Sequence, residues 1–285
     1  MTHLVIQAPD LSPEKTEKIA AISMASSLSP ISSTAVKLKD IDAAERDAIV
    51  QACAQMRVDA AFLEGSVRLE DCRILAMDMD STLINIECID EIADMVGRKA
   101  EVSAITEAAM RGEIKDFSES LRRRVALLEG VRVEDLDRVY EERLRLNAGA
   151  EKLIQQAQKA GLKTLLVSGG FTRFTDRLKA KLGLDFAFSN TLEIENGRLT
   201  GQVLGNIVDA QGKADHLQAL ARKTNAAPEQ IIAMGDGAND LKMLSLASYS
   251  VAYRAKPVVQ AQARFALNYC GLDGVLNWFC QPAKA

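Results

Sequence analysis

A short apolar run that ends in two closely spaced acids constrains the fold of this chain more than any other stretch. Residues 74–77 are continuously apolar and lead directly to Asp78 and Asp80, with Ser81 and Thr82 following. A continuous apolar run of this length is typical of a strand buried on both faces of a parallel sheet. Ligand sites in such sheets lie beyond the carboxyl ends of the strands, so both acids fall where a site is expected.

The spacing of the two acids predicts a need for positive charge. Residues two apart in a strand-like segment point to the same side, so the carboxylates of Asp78 and Asp80 are expected to lie together. Two such anions repel each other unless a cation or a shared proton relieves the repulsion. A divalent ion that prefers oxygen ligands, such as Mg²⁺, is the simplest relief. The alternative is structural, with a strand-end Asp capping the next helix through Ser81 or Thr82.

The composition bounds the class of protein. The chain has 285 residues, of which 48% are hydrophobic and 26% charged, as expected for one large or two modest globular domains. A net charge of −4 gives no basic surface for nucleic acid, and no apolar run approaches the roughly 18 residues that span a bilayer. The N-terminus lacks a signal-peptide pattern. We therefore expect a cytoplasmic protein with no nucleic-acid or membrane partner.

The cysteine and histidine content argues against several kinds of site. The five cysteines are scattered without a Cys-x-x-Cys pair, so neither a disulfide framework nor a zinc site is indicated. His3 and His216 are the only histidines, which argues against catalytic triads and zinc proteases. Acid–base chemistry is therefore expected to depend on carboxylates.

Residues 1–68 are predicted to form a small α+β domain. Strand-like and helical segments alternate there, at 4–8, 12–25, 34–38, 43–56 and 60–63. The pattern resembles the amino-acid-sensing regulatory domains of the ACT type, although it contains no motif. A docking or dimerisation module is the alternative, and a homodimer is therefore left open.

Residues 69–285 are predicted to form an α/β core of the doubly wound kind. Strands are expected at 162–167, 231–234 and 250–253, and helices at 171–182, 213–223 and 274–279. Asn196-Gly197 between two strand-like runs predicts a hairpin. Four helical segments between residues 87 and 147 interrupt the core after its first strand.

Polar clusters follow three of the predicted core strands. In chain order they are Asp78 with Asp80; Ser168-Gly169-Gly170; and Asp236 with Asn239 and Asp240. Because parallel strands end at the same edge of a sheet, the clusters are expected to converge. Carboxylates, a hydroxyl, a glycine amide and a lysine such as Lys213 are groups that phosphoryl transfer requires. Each cluster alone fits an ordinary turn, but their order and spacing together indicate a site.

These motifs resemble those of a known family. The stretches Asp78-Met79-Asp80-Ser81-Thr82, Ser168-Gly169-Gly170, Lys213 and Gly235-Asp236-Gly237-Ala238-Asn239-Asp240 are similar to the four motifs of the haloacid dehalogenase-like phosphatases, in the phosphoserine phosphatase branch. The resemblance covers about residues 72–275 and extends to 85–91 and 120–125 within the helical insertion. It implies a Rossmann-like core with a helical cap at about 87–147.

The resemblance also implies roles for the motif residues. Asp78 is expected to be the nucleophile that forms an aspartyl phosphate, and Asp80 the general acid and base. Mg²⁺ is expected to be held by Asp78, by the backbone carbonyl of Asp80 and by Asp236. The residues implied to bind the phosphoryl group, with Asp240 in support, are Ser168, Gly169, Lys213 and Asn239.

The substrate implied is O-phospho-L-serine, hydrolysed to L-serine and phosphate in the last step of serine biosynthesis. Glu87 is expected to meet its ammonium group and Arg124 its carboxylate, while Met110 and Phe117 line the pocket. The alternatives are an ordinary first-turn helix acid for Glu87 and a solvated basic face for Arg124. An apolar stripe that starts at Leu121 runs beside position 124, so we expect Arg124 to face the protein.

Two other functions are kept as alternatives. One is a related phosphatase or phosphotransferase that acts on another small phosphomonoester, from which Glu87 and Arg124 would distinguish the phosphoserine enzyme. The other is a non-enzymatic amino-acid sensor on the same scaffold. The sensor is disfavoured because it has no need for intact Asp78, Asp80 and Lys213.

Overall fold

The computed structural model describes residues 2–110, 113–114 and 116–279, apart from the side chain of Met110. Met110, which the sequence analysis assigns to the pocket wall, therefore lies outside the described side chains. Among the described residues, no helix combines the length and apolar character that crossing a membrane requires.

The N-terminal residues form a four-stranded antiparallel sheet with two helices on one face. Its elements are β1 (Thr2–Gln7), α1 (Pro13–Ser23), β2 (Ser27–Ser32), β3 (Ala35–Lys39), α2 (Arg46–Gln55) and β4 (Asp59–Glu64). The strands lie in the order β2-β3-β1-β4. Leu4 and Ile6 of β1 pack with Ile19 and Ile49 of the helices. Val5, which points to the opposite face, packs into the core of the larger sheet.

Seven strands form the larger sheet. They are β5 (Ile74–Met77), β6 (Lys163–Phe171), β7 (Phe186–Glu195), β8 (Arg198–Leu204), β9 (Ile231–Gly235), β10 (Tyr249–Tyr253) and β11 (Phe265–Leu267). They lie in the order β11-β10-β9-β5-β6-β7-β8, and all neighbours are parallel except the β7–β8 hairpin. The predicted α/β fold and the hairpin at Asn196-Gly197 are confirmed.

The order of the strands positions the site. β5 is central and pairs with β9 on one side and β6 on the other. These three strands are the ones that carry the polar clusters, so the carboxyl ends of adjacent strands bring the clusters together.

A helical cap is inserted between β5 and β6, as predicted. Its helices are α3 (Cys88–Met95), α4 (Lys99–Met110), α5 (Phe117–Ala126) and α6 (Val133–Arg138). The segment after α5 is joined to the edge of β8: Gly130 N donates to Leu199 O at 2.8 Å, and Leu199 N donates to Val131 O at 2.8 Å. The C-terminal end of α5 is therefore fixed to the core hairpin.

The remaining helices cover the two faces of the large sheet. They are α7 (Ala150–Lys159), α8 (Thr172–Leu182), α9 (Ala210–Thr224), α10 (Leu241–Leu244) and α11 (Pro257–Gln260). The helix predicted to begin at Lys213 begins at Ala210, because the Asp209 side chain caps it by accepting from Gly212 N at 2.8 Å. The helix predicted at 274–279 is a 3₁₀ helix at Leu272–Trp278.

Five elements were not predicted from the sequence: β2, α7, α10, α11 and β11. β2 is rich in serine and contains Pro30, so its strand propensity is weak, and pairing with β3 orders it. β11 has three residues, too few for a recognisable pattern.

The two sheets are joined where β4 lies beside the edge of β11. Asp59, at the start of β4, is buried and accepts three backbone N–H groups that follow β11. The donors are Asn268 at 2.7 Å, Tyr269 at 3.1 Å and Cys270 at 2.8 Å. One carboxylate therefore satisfies three backbone N–H groups in the segment that follows β11.

Candidate active site

The chain turns sharply directly after β5. β5 ends at Met77, and residues 79–83 form a tight turn in which Ser81 has a φ of 56°. Asp78 and Asp80 are therefore not consecutive outward positions of a strand, and the prediction that strand geometry brings them together is wrong. Both nevertheless line one cavity, because the turn returns Asp80 towards it.

Asn147, at the end of the cap, shapes this turn. Its side-chain amide donates to the carbonyl oxygens of Thr82 at 2.8 Å and Ile84 at 3.0 Å. Its backbone N–H donates to Leu83 O at 2.9 Å. The hydroxyl groups that could have capped a helix are used elsewhere: Ser81 donates to Glu87 and Thr82 to Asp236. Both acids also act as local caps: Asp78 accepts Met79 N at the start of this turn, and Asp80 accepts Cys88 N at the start of α3.

Asp78 is buried beside a buried lysine. Its Oδ1 atom lies 2.7 Å from Lys213 Nζ and also accepts Met79 N at 2.7 Å. Burial raises the pKa of Asp78, and the nearby Asp240 adds to this, whereas Lys213 opposes it. Among the described residues no group donates a hydrogen bond to Oδ2 of Asp78, which leaves this atom for a ligand.

Lys213 is held between two carboxylates. Its Nζ atom is also 2.7 Å from Asp240 Oδ1, and both ion pairs are almost completely buried. Oδ2 of Asp240 accepts the backbone N–H groups of Asp236 and Gly237 at 3.1 and 3.0 Å. A Cβ at Gly235 would lie 2.5 Å from Asp240 Cγ, so glycine is required for this packing.

Three acids could hold a metal ion here. Oxygens of Asp78, Asp236 and Asp240 lie within 4.8 Å of one another. Because both oxygens of Asp240 already accept hydrogen bonds, Asp78 and Asp236 are the better ligands. Burial and Asp240 raise the pKa of Asp236 to about 6. An all-oxygen, acidic donor set fits a hard divalent cation such as Mg²⁺.

Asp80 has one anchored and one open carboxylate oxygen. Oδ1 accepts the backbone N–H of Cys88 at 3.0 Å. Oδ2 lies over Gly170, where a Cβ would approach it to 2.7 Å. Burial, with the charge of Glu87 adding to it, raises the pKa of Asp80 to about 7. A carboxyl group with this pKa can both give and take a proton near neutral pH.

Ser168 and Gly169 lie at a bulge near the end of β6. Strand pairing with β7 is interrupted between Val167 and Phe171. Ser168 Oγ accepts Gly170 N at 2.8 Å, which leaves its own proton free to donate. Asn190 of β7 donates to Gly169 O at 2.8 Å and so fixes the bulge.

The cap contributes the opposite wall of the cavity. A Cβ at Gly169 would be 2.9 Å from Phe117 Cζ, so the ring of Phe117 lies directly over the bulge. Arg124 is half-buried while its neighbours Arg122 and Arg123 are exposed, as the apolar stripe predicts. Glu87 is exposed to the cavity and accepts Ser81 Oγ at 2.7 Å.

The cavity has a volume of about 800 Å³. Nine of the predicted residues line it: Asp78, Asp80, Glu87, Phe117, Arg124, Ser168, Gly169, Asp236 and Asn239. Lys213 and Asp240 lie behind Asp78 and form no part of the lining.

Several residues of the site were not found from the sequence. Lys256 lines the mouth of the cavity, and its backbone N–H donates to Asp236 O at 3.0 Å. Asn147 and Asn190 support the two loops, although each stands alone in the sequence without a motif. Only their distant hydrogen-bond partners reveal them.

A family model described as haloacid dehalogenase-like hydrolase matches residues 75–245, which include every polar cluster of the site. The chain belongs to the haloacid dehalogenase-like hydrolase family. A second model, described as a domain of unknown function (DUF4072), matches residues 4–49.

Three relatives of this haloacid dehalogenase-like chain are informative. A phosphoserine phosphatase of Polaromonas sp. (strain JS666) is 58% identical over 74% of this chain and 91% of its own. The unliganded structure of a probable phosphoserine phosphatase from Vibrio cholerae is 38% identical with a TM-score of 0.84, covering 98% of this chain and 86% of its own. A phosphoserine phosphatase solved as a phospho-aspartyl intermediate analogue is 36% identical with a TM-score of 0.68, covering 73% and 99%.

Proposed function

We propose that this chain hydrolyses O-phospho-L-serine to L-serine and phosphate, with Mg²⁺ and through an aspartyl-phosphate intermediate. The observation that carries the proposal is the meeting of Asp78, Asp80 and Asp236 with Ser168 and Lys213 at one sheet edge. The names of the relatives support the choice of substrate. The proposal includes a cytoplasmic role in the last step of serine biosynthesis.

In the first half-reaction, Oδ2 of Asp78 attacks the phosphorus atom. A P–O bond to Asp78 forms while the bond from phosphorus to the serine oxygen breaks. Asp80 donates a proton to the departing oxygen, because a serine alkoxide is strongly basic and leaves poorly without one. Lys213 keeps Oδ1 of Asp78 fixed during attack.

In the second half-reaction, water hydrolyses the acyl phosphate. Asp80, now ionised, takes a proton from the water as its oxygen attacks phosphorus. The P–O bond to Asp78 breaks, phosphate leaves, and both carboxylates return to their starting state. The same residue serves as acid and then as base, because Asp80 lines the cavity and its pKa is raised to about 7.

The phosphoryl oxygens are bound by groups around Asp78. Ser168 offers its free hydroxyl proton, and Gly169 its backbone N–H, at the bulge of β6. Lys213 supplies positive charge from behind Asp78, and Asn239 supplies an amide at the cavity wall. Asp78, Asp236 and the backbone carbonyl of Asp80 would hold Mg²⁺, which supplies neutralisation of phosphate charge when bound.

Selection of phosphoserine is proposed to depend on the cap. Glu87 offers an anion for the substrate ammonium group, and Arg124 a planar guanidinium for its carboxylate. Phe117 covers the bulge and excludes water from the reacting atoms.

The direct test is phosphate release from a panel of phosphomonoesters, with Mg²⁺ and with a chelator. Phosphoserine is expected to be the best substrate, and activity is expected to require the ion. Asp78→Asn should abolish turnover because an amide cannot form the aspartyl phosphate. Preference for a different phosphomonoester, or substantial activity of Asp78→Asn, would contradict the proposal.

Arg124→Ala tests the substrate assignment. It is expected to raise KM for phosphoserine far more than for 4-nitrophenyl phosphate, which has no carboxylate. Arg123→Ala is the matched control, since Arg123 is exposed and pairs with Glu119 on the same helix. Equal effects of Arg124→Ala on the two substrates would remove the argument for phosphoserine.

The proposal extends to the N-terminal residues. We propose that residues 1–68 and 69–285 are two domains, and that the first serves docking, dimerisation or ligand sensing. A homodimer is part of this proposal, and light scattering of the full chain tests it.

A further inference from the structure

Asp90 is an acid of the cavity that the reaction described above does not use. It lies in the first turn of α3 and lines the same cavity as Glu87 and Arg124. Its Oδ1 atom is buried and has no hydrogen-bond partner among the described residues. A buried carboxylate oxygen without a donor is costly, so its presence in a ligand cavity indicates a partner that arrives or moves.

Arg124 is the complementary group. Among the described residues Arg124 makes one hydrogen bond, from Nε to Ser120 O at 3.4 Å, which leaves the terminal nitrogens available. Burial lowers the pKa of Arg124, and Asp90 opposes this more than Glu87 or Asp80 does. Asp90 is therefore the acid with the largest favourable effect on the guanidinium.

The shape of a guanidinium allows it to bind two carboxylates at once. Its five N–H donors lie in one plane, so one edge can meet a protein carboxylate while another meets a ligand carboxylate. Glu87 already accepts the Ser81 hydroxyl, whereas Asp90 Oδ1 accepts nothing. This difference favours pairing of Asp90 with Arg124 and leaves Glu87 for the ammonium group.

We propose that Asp90 is a positioning residue for Arg124. It binds one edge of the guanidinium and so directs the other edge towards the carboxylate of the substrate. This inference rests on the proposed phosphoserine phosphatase function and assigns to Asp90 a part in substrate selection. Asp90 touches neither the phosphoryl group nor the reacting oxygen atoms.

The test compares Asp90→Asn with the unchanged protein on two substrates. O-phosphoserine carries a carboxylate, and O-phosphoethanolamine has the same ammonium group without it. The ratio of kcat/KM for phosphoserine to that for phosphoethanolamine is expected to fall about tenfold, mainly through KM, because a misaligned guanidinium loses a charge-assisted hydrogen bond. In an Arg124→Ala background, Asp90→Asn is expected to leave this ratio unchanged.

Asp94→Asn is the matched control, since Asp94 lies on the same helix, pairs with Arg143 and does not line the cavity. Asp90→Ser provides a second variant, and circular dichroism checks that each variant folds. An unchanged ratio in Asp90→Asn would overturn the inference, because it would mean either a structural role or a direct contact with the ammonium group. The inference would also be overturned if Asp90→Asn lowered the ratio of kcat/KM values by the same factor in the Arg124→Ala background as in the unchanged protein. Failure of the proposed function would give a different result from failure of the inference about Asp90: the unchanged protein would then show no preference for phosphoserine over 4-nitrophenyl phosphate.

Discussion

Asp59→Ala is expected to destabilise the protein by about 3 kcal/mol. The substitution removes the common acceptor of three backbone N–H groups at Asn268, Tyr269 and Cys270. A buried donor left without an acceptor costs about 1–3 kcal/mol. We use about 1 kcal/mol for each donor, the lower end of this range. Burial raises the pKa of Asp59, so its ionised form carries a desolvation cost, and this cost offsets part of the gain from its hydrogen bonds.

Urea unfolding followed by circular dichroism measures this loss. For a chain of this size it corresponds to a midpoint about 1 M lower. Hydrogen exchange at the three amides gives a local check, since they should lose protection first. Asp42→Ala is the control, because Asp42 accepts one exposed N–H, from Ala44 at 2.9 Å, and should cost about 1 kcal/mol or less. A loss for Asp59→Ala no larger than that for Asp42→Ala would refute the reasoning.

Two further predictions follow from the site and from the N-terminal sheet. Asp80→Asn is expected to lower kcat/KM for phosphoserine by about 10²–10⁴-fold, and far less for 4-nitrophenyl phosphate, whose leaving group needs no proton. Because kcat/KM reports the first half-reaction and not the later hydrolysis of the aspartyl phosphate, equal losses of kcat/KM on the two substrates would contradict the role of Asp80 as acid. Burial, with Lys37 adding to it, lowers the pKa of His3 from 6.5 to about 4, so protons bind the unfolded chain first. The contribution of His3 to stability is therefore complete above pH 6.5 and is lost as the pH falls from 6.5 to 4, so His3→Gln should unfold with a weaker dependence of stability on pH in this range.

The convergence of the polar clusters could be predicted from the sequence. It depends on strand order and on the rule that parallel strands end at one edge, and both can be inferred from apolar runs alternating with helices. The orientation of Arg124 was likewise predictable, because a helical stripe fixes which neighbour faces inward. Both predictions rest on repeating patterns of apolar residues, which can be seen in the sequence.

The turn after β5 and the supporting amides could not be predicted. The turn depends on Ser81 adopting a left-handed conformation, which the sequence does not signal. Asn147, Asn190 and Asp59 act on chain segments far away in sequence, and no local pattern marks them. Tertiary hydrogen bonds of this kind become visible when the partners are seen in space.

The hydrogen bonds of Asn147 have a consequence for the timing of folding. Asn147 reaches carbonyl groups 65 and 63 residues earlier in the chain, at Thr82 and Ile84. Contacts of such separation form only after the intervening loop closes, and loop closure is slow compared with local helix formation. A chain emerging from the ribosome therefore contains both Asp78 and Asp80 well before their turn can be shaped. Competence for catalysis is expected to appear late, after the cap has folded back on the first core strand.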